Sequence, residues 1–247
     1  MLLTTPEHLE QPLVERPLEL VSDEALELSA REWRSQGKPL PGEALSQMPV
    51  VAIGPAETWP LADLYPPKKM PRAIRTQLVQ ADFYLVRFSC SFRPRHWENR
   101  VEWARFRAAL LPNGGQPTAF DLYPLQIEQE VAHQTNVTFS PLLKFQELEV
   151  SGGEATFGFA YTEKRPVVSA YIGSGFDPSW DYRAFKEQDV QGTKWMYVLV
   201  KAPKGMVRGQ ALLELEADLL VGQSRLPAVL WRHRPDAAAQ LTVQLWP

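Results

Sequence analysis

The strongest constraint on the fold is a hydrophobic pattern that repeats at every second residue. Between residues 211 and 221, alanine, leucine or valine occupies every odd position, and Glu214, Glu216 and Asp218 occupy even positions between them. Successive side chains of a β-strand point to opposite faces, so this pattern indicates a strand with one buried face. At helical spacing the same acids would scatter around the whole cylinder.

The same period runs through most of the chain after residue 81. In residues 82–92 the even positions from Tyr84 to Phe92 are all apolar, with Arg87 among the residues between them. Residues 100–111 fit either a strand or a helix, and we favour the strand. Further strands are predicted at 155–161, 166–172, 195–200, 226–231 and 241–246.

Many short strands without intervening helices favour antiparallel sheets. We therefore predict a mainly β fold in which residues 81–247 form an antiparallel two-sheet β-sandwich, with a partly open barrel as the alternative.

Proline usage separates the first third of the chain from the rest. Eleven of the 22 prolines lie in residues 1–80, where they discourage long helices and central strands. We predict a Pro-rich N-terminal arm over residues 1–80 with one amphipathic helix at 23–36. Leu26, Ala30 and Trp33 form the apolar stripe of this helix. A stripe this narrow needs a partner surface, which is either the sandwich or another protein.

The segment YIGSGFDPSWDY, residues 171–182, raises the question of a binding loop. A phosphate cradle needs glycines directly before a helix, and Pro178 disfavours a helix there. We interpret the segment as a turn in which Gly173 and Gly175 supply positive φ. The alternative is a carbohydrate or small-ligand platform, for which the candidate residues are Tyr171, Trp180 and Tyr182.

Basic residues concentrate in one block of the chain. Residues 68–107 contain ten lysines and arginines against three acids. Part of the block interleaves arginine with tryptophan, a composition typical of phosphate and single-strand surfaces and of protein interfaces. The plain alternative is that these arginines pair with the acids at 214–218. The candidate interface residues are Arg93, Arg95, Trp97, Arg100, Trp103, Arg105 and Arg107.

No catalytic or metal-binding constellation is visible in the sequence. The four histidines lack metal-ligand spacing, and no Gly-x-Ser-x-Gly occurs. Cys90 lies on the apolar parity of its strand, which predicts an inert buried thiol. Asp177 and Asp181 could bind a cation or share a proton if they were held close together. We predict no catalytic residues, no cofactor and no metal, so the chain is not expected to be an enzyme.

The cysteine count, the net charge and the absence of long apolar runs bear on the compartment in which the chain is expected to act. It has one cysteine, a formal net charge of −3 and no run of eighteen apolar residues, and its N-terminus lacks a signal-peptide pattern. We predict a cytoplasmic, non-enzymatic protein-binding or scaffold module whose partner is another protein, contacted through the arm and helix 23–36. The alternatives are a carbohydrate or small-ligand-binding sandwich, and nucleic-acid or phosphate binding through the basic block 68–107.

Overall fold

The computed structural model describes most of the chain after residue 45 and parts of the region before it. The described residues are 5–20, 27, 30–31, 33–35, 37, 45–66, 68–127, 135–136, 158–159, 167–184, 189–221, 224–229 and 241–247. The strands are β1 (Val14–Pro17), β2 (Glu19–Leu20), β3 (Val50–Ile53), β4 (Glu57–Pro60), β5 (Ala81–Arg93), β6 (Asn99–Leu111), β7 (Thr118–Tyr123), β8 (Gln126–Ile127), β9 (Thr135–Asn136), β10 (Gly158–Phe159), β11 (Val167–Gly173), β12 (Asp177–Arg183), β13 (Gly192–Pro203), β14 (Gly209–Val221), β15 (Ser224–Val229) and β16 (Leu241–Trp246). Two one-turn helices, α1 (Leu61–Leu64) and α2 (Arg72–Arg75), lie between β4 and β5.

Two large antiparallel sheets are built from these strands. The first has six strands in the order β1-β3-β5-β13-β7, with β4 beside β5. The second has eight strands in the order β2-β15-β14-β6-β12-β11-β8, with β16 beside β14. Strands β9 and β10 pair with each other. The predicted mainly β, antiparallel two-sheet fold is confirmed, and residues 100–111 belong to a strand.

The core lies between the two sheets. Phe88 of the first sheet faces Phe106 of the second, with ring centroids 5.9 Å apart, and Trp180 lies 6.4 Å from Phe106. All three rings are buried. This face-to-face packing makes the described strands a sandwich and not the partly open barrel that was the alternative.

Strand β5 is buried on both faces, whereas its alternation predicted one exposed face. Arg87, Ser89 and Ser91 occupy the predicted polar face and are only 5%, 1% and 7% exposed. The cause is coverage by the N-terminal part of the chain. The Gly54 N–H donates to the carbonyl of Ser89, and a Cβ added at Gly54 would lie 2.2 Å from the Ser89 hydroxyl.

Arg87 is held in this covered face by one carboxylate and two rings. Its Nε and Nη2 donate to Glu57 at 3.0 and 2.6 Å, and its guanidinium lies 5.3 Å from the Trp59 ring and 5.0 Å from the Trp195 ring. Burial alone would lower the pKa of Arg87, but the hydrogen bonds to Glu57 and Tyr197 outweigh it and raise that pKa. Arg87 therefore ties β4 to the sheet as a charged residue.

The first 80 residues contribute strands to both sheets. Strands β3 and β4 pair with β5, β1 pairs with β3, and β2 pairs with β15. The predicted division at residue 80 therefore does not coincide with the edge of either sheet. Of the predicted helix 23–36, residues 27, 30–31 and 33–35 are helical, and the rest lie outside the described residues. Trp33 is 3% exposed and belongs to the main core, so its partner surface is the sandwich itself.

Residues 174–176 form the turn predicted for the segment 171–182. Strands β11 and β12 pair on either side of it, with Gly173 opposite Asp177. Positive φ occurs at Ser174 (48°) and Gly175 (82°), so the expectation for Gly173 is wrong. Ser174 adopts the left-handed region that only short polar residues and glycine tolerate well.

Candidate functional site

Two arginines on the outer face of the eight-stranded sheet are each clamped between two acids. Arg107 donates from Nε and Nη2 to Asp177 at 2.5 and 2.7 Å and from Nη1 to Glu214. Arg105 donates in the same way to Asp181, at 2.6 and 2.9 Å, and its Nη1 reaches Glu216 at 3.3 Å. The charged ladder is defined by these six residues: Arg105, Arg107, Asp177, Asp181, Glu214 and Glu216.

The charged ladder is the plain alternative considered for the basic block, because Arg105 and Arg107 pair with acids at 214 and 216. The hydrogen bonds to Asp181 and Asp177 raise the pKa of Arg105 and Arg107, respectively. Two arginines oppose four carboxylates, so the ladder has a net charge of 2 − 4 = −2. Asp177 and Asp181 each bind a different arginine, which leaves no shared proton between them. The net negative charge of these six residues does not favour phosphate binding at the ladder.

Replacing Arg107 with alanine is expected to lower the free energy of unfolding by about 1–2 kcal/mol, because a bidentate and networked arginine contributes more than an isolated surface pair. Urea unfolding measures the effect, and the loss should shrink in about 1 M salt, where screening is strong. Arg93→Ala is the matched control, since Arg93 forms one ion pair with Glu15 and both side chains are exposed. Equal losses in the two variants would contradict the role of the ladder.

The predicted ligand platform does not form. Trp180 and Tyr182 are 0% and 2% exposed and belong to the main core, whereas Tyr171 is 53% exposed. Tyr171 lies opposite Ser179 in the β11–β12 pairing, and Ala170 lies opposite Trp180. Residues opposite each other share a face, so Tyr171 projects from the outer face while Trp180 and Tyr182 point into the core.

The predicted basic interface is split into separate parts. Trp103 lies under Arg105 at 5.0 Å in a cation–π contact on the outer face, beside the charged ladder. Arg100 donates to Asp189 at 2.5 Å. The remaining candidates, Arg93, Arg95 and Trp97, lie at or beside the loop between β5 and β6. The candidates therefore do not make one continuous surface.

The β5–β6 loop, residues 94–98, presents an exposed tryptophan. Trp97 is 80% exposed, and the ring of His96 lies 5.9 Å from it at an interplanar angle of 27°. The Glu98 N–H donates to His96 Nδ1 at 3.2 Å, and the Asn99 N–H donates to the His96 carbonyl at 3.1 Å. The exposed ring thus belongs to a loop with internal hydrogen bonds.

Segment 128–166 is attached to the sandwich on the side of this loop. Strand β6 starts at the β5–β6 loop, and β12 is antiparallel to β6. Strand β11 is antiparallel to β12, so it runs parallel to β6 and starts on the same side. Strand β8 is antiparallel to β11 and therefore runs toward the loop. Both connections of the segment are directed toward the end of the sandwich that carries residues 94–98, which we name the loop end.

The segment itself contains one described pairing. Thr135 lies opposite Phe159 and Asn136 opposite Gly158, in antiparallel register. The predicted strand 155–161 overlaps this pairing at residues 158 and 159, and its other residues lie outside the described residues. The sequence analysis predicted no strand at Thr135–Asn136, the partner of this pairing.

Three further features of the described residues bear on function: the buried thiol, groups of metal-ligating side chains, and the helices. Burial raises the pKa of the Cys90 thiol to about 12, which agrees with an inert core residue. Within the described ranges, no three His, Cys, Asp or Glu side chains are grouped so that they could hold a metal ion. No helix in that part of the chain is long and apolar enough to cross a membrane.

Solved structures similar to this chain include a pore forming protein and a membrane-inserted toxin. One, described as a pore forming protein, has a TM-score of 0.36 and 7% sequence identity and covers 79% of this chain and 90% of its own. Another is the NetB toxin of Clostridium perfringens in its membrane-inserted form, with a TM-score of 0.31, 7% identity and coverage of 66% and 83%. Both structures are only distantly similar to this chain in sequence and in backbone. No protein-family model and no curated protein matches the sequence.

These comparisons contradict the function predicted from the sequence. The prediction of a cytoplasmic protein-binding or scaffold module conflicts with these similar structures and is not proposed again. The geometry also counts against its carbohydrate and nucleic-acid alternatives. The platform residues Trp180 and Tyr182 are buried, and Arg105 and Arg107 are neutralised by acids.

Proposed function

We propose that this chain inserts into lipid bilayers and that several copies together open a water-filled pore. The observation that carries the proposal is the pairing of β9 with β10, which sets the register between the two halves of segment 128–166. Odd-numbered residues lie opposite odd-numbered residues in this register. Residues opposite each other in a ladder share a face. The even or odd number of a residue therefore decides which face of a longer hairpin would carry its side chain.

The sequence next to this pairing alternates over residues 137–145, with Leu142 as an exception, and over residues 155–161. Even positions include polar residues such as Thr138, Ser140 and Thr156. If the register of β9 and β10 continued, Val137 would lie opposite Phe157, so odd-numbered residues of the two halves would share one face. The apolar side chains at odd positions of 137–145 and 155–161 are Val137, Phe139, Pro141, Leu143, Phe145, Ala155, Phe157, Phe159 and Tyr161, whereas Glu149, Ser151 and Gly153 interrupt the pattern between these two stretches.

A hairpin with one apolar and one polar face is suited to a bilayer. If the register continued, residues 137–145 would pair with 149–157, and about nine residues is the length that a tilted strand needs to cross the hydrocarbon core. Alternation of lipid-facing and water-facing residues is the pattern of membrane-spanning strands. The edges of one hairpin leave backbone N–H and C=O groups unpaired, and hydrocarbon offers them no partners. Several copies side by side satisfy these groups and enclose water.

The partners that this function requires are phospholipid and further copies of the same chain. Insertion and pore opening make and break no covalent bond. The prediction that the chain is not an enzyme is therefore retained as part of the proposal.

Release of carboxyfluorescein from phosphatidylcholine–phosphatidylglycerol vesicles tests the proposal. The wild-type protein is expected to release the dye. Phe157→Asp is expected to slow the release by about tenfold or more, because a charge on the lipid-facing side of a membrane strand is strongly unfavourable. Thr156→Asp is the matched control. It adds the same charge at the neighbouring position of opposite parity, where water is the expected environment.

Far-UV circular dichroism establishes that both variants keep the β-sandwich. Equal release by Phe157→Asp and Thr156→Asp would refute the proposed hairpin. The absence of release by wild-type protein that binds the vesicles would refute insertion altogether.

A further inference from the structure

We propose that the β5–β6 loop anchors the protein in the headgroup layer of a phospholipid bilayer, with the Trp97 ring at the interface and Arg95 at lipid phosphates. The inference rests on the proposed function and adds to it the surface that first contacts the membrane. It applies to residues 94–98, all of which the structure describes.

Trp97 is exposed on a loop whose base is held by hydrogen bonds. The base of the loop is fixed because Asn99 is 1% exposed and its Nδ2 donates to the Gln47 carbonyl at 2.8 Å. The stacked His96 ring supports one side of Trp97. A tryptophan that is 80% exposed on a fixed loop contributes little to the core. Its apolar body and polar N–H suit the boundary between hydrocarbon and water, where tryptophan is enriched in membrane proteins.

The positive charge of Arg95, close to Trp97 in the same loop, is suited to binding a lipid phosphate. Arg95 is exposed, and no ion pair holds its guanidinium among the described residues. Arg93 is also exposed and bonds Glu15 at 2.6 Å. Arginine binds phosphate oxygens through a planar fork of donors. An exposed aromatic ring next to an arginine without a carboxylate partner thus matches a lipid headgroup and the acyl boundary below it.

The position of the loop in the fold favours a bilayer as its binding partner. The connections of segment 128–166 through β8 and β11 are directed toward the loop end. If that segment crosses a bilayer, the loop end is the part of the sandwich that faces the membrane. Trp97 and Arg95 then lie at the depth of the headgroups.

Co-sedimentation with phosphatidylcholine–phosphatidylglycerol vesicles tests the anchor with the full chain. Trp97→Ser is expected to weaken partition into the vesicles by about tenfold, because the bound ring no longer removes its apolar area from water. Trp97→Phe should recover most of the partition. Tyr171→Ser is the matched control, because Tyr171 is also an exposed aromatic residue but lies near the β11–β12 turn, at the opposite end. Arg95→Gln should weaken partition and reduce its dependence on salt.

The results separate this inference from the proposed function. If Trp97→Ser partitions and releases dye like the wild type, the anchor is refuted and the hairpin is unaffected. If Trp97→Ser loses partition while Phe157→Asp releases dye normally, the anchor is supported and the hairpin is refuted. Equal losses in Trp97→Ser and Tyr171→Ser would also refute a specific role of the loop.

Discussion

Replacing Trp180 with alanine is expected to lower the free energy of unfolding by about 3–5 kcal/mol, the range found for large aromatic residues removed from packed cores. Trp180 is 0% exposed and packs between the two sheets beside Phe106. Urea unfolding followed by circular dichroism measures the change. Tyr171→Ala is the matched control from the neighbouring strand, and its loss should remain below about 1 kcal/mol because the side chain is exposed.

A second variant separates packing from hydrogen bonding at this site. The indole N–H of Trp180 is buried and has no hydrogen-bond acceptor among the described residues. Trp180→Phe keeps an aromatic ring and removes this N–H, so it should recover at least half of the loss. If Trp180→Ala and Tyr171→Ala destabilise the protein equally, Trp180 is not the core residue that the structure describes.

Replacing Gly209 with alanine is expected to cost about 1–3 kcal/mol, the range for overpacking a filled site. A Cβ at this position would lie 2.4 Å from ring atoms of Trp246. That ring cannot easily yield, because it stacks on Tyr84 with centroids 4.2 Å apart and its Nε1 donates to the Met206 carbonyl at 3.3 Å. The methyl group therefore pushes the Trp246 ring away from β14 and disturbs its stacking on Tyr84.

A double-mutant cycle identifies Trp246 as the cause. In a Trp246→Ala background the ring is absent, so Gly209→Ala should cost less than about 0.5 kcal/mol. The measurement is again urea unfolding of the four proteins in the cycle. Additive losses from the two substitutions would show that the cost at Gly209 has another origin.

The fold class was predictable because it depends on a local property, the parity of apolar residues. The alternation at 211–221 predicted β14, and the structure places Arg105 and Arg107 on the face of β6 opposite its buried residues. Their pairing with Glu214 and Glu216 follows once β6 and β14 are adjacent. Sequence reasoning offered this pairing as an alternative, but the adjacency of the two strands came only from the structure.

The ligand platform failed because its prediction required a turn length that the sequence does not specify. The turn between β11 and β12 contains three residues, so Tyr171 lies opposite Ser179. Residues of like parity therefore share a face, and Tyr171 is separated from Trp180 and Tyr182. A two-residue turn would have brought unlike parities together. The letters Gly-Ser-Gly-Phe are compatible with either length.

The environment of Arg87 could not be predicted from local sequence for a related reason. Its partners Glu57 and Trp59 come from β4 and Trp195 from β13, strands distant from Arg87 in the chain. Local alternation assigned Arg87 to a solvent-facing side. The long-range coverage by the N-terminal region changed that side into an interior surface.

The excess of carboxylates in the charged ladder bears on how the protein would be oriented on a membrane. With four carboxylates against two guanidinium groups, the charged ladder would be repelled by a negatively charged membrane surface if the chain binds lipid as proposed. A molecule lying flat on the face that carries the ladder would bring this charge against the lipids. In the proposed function, contact with the membrane through the loop end would keep this charge in the surrounding water.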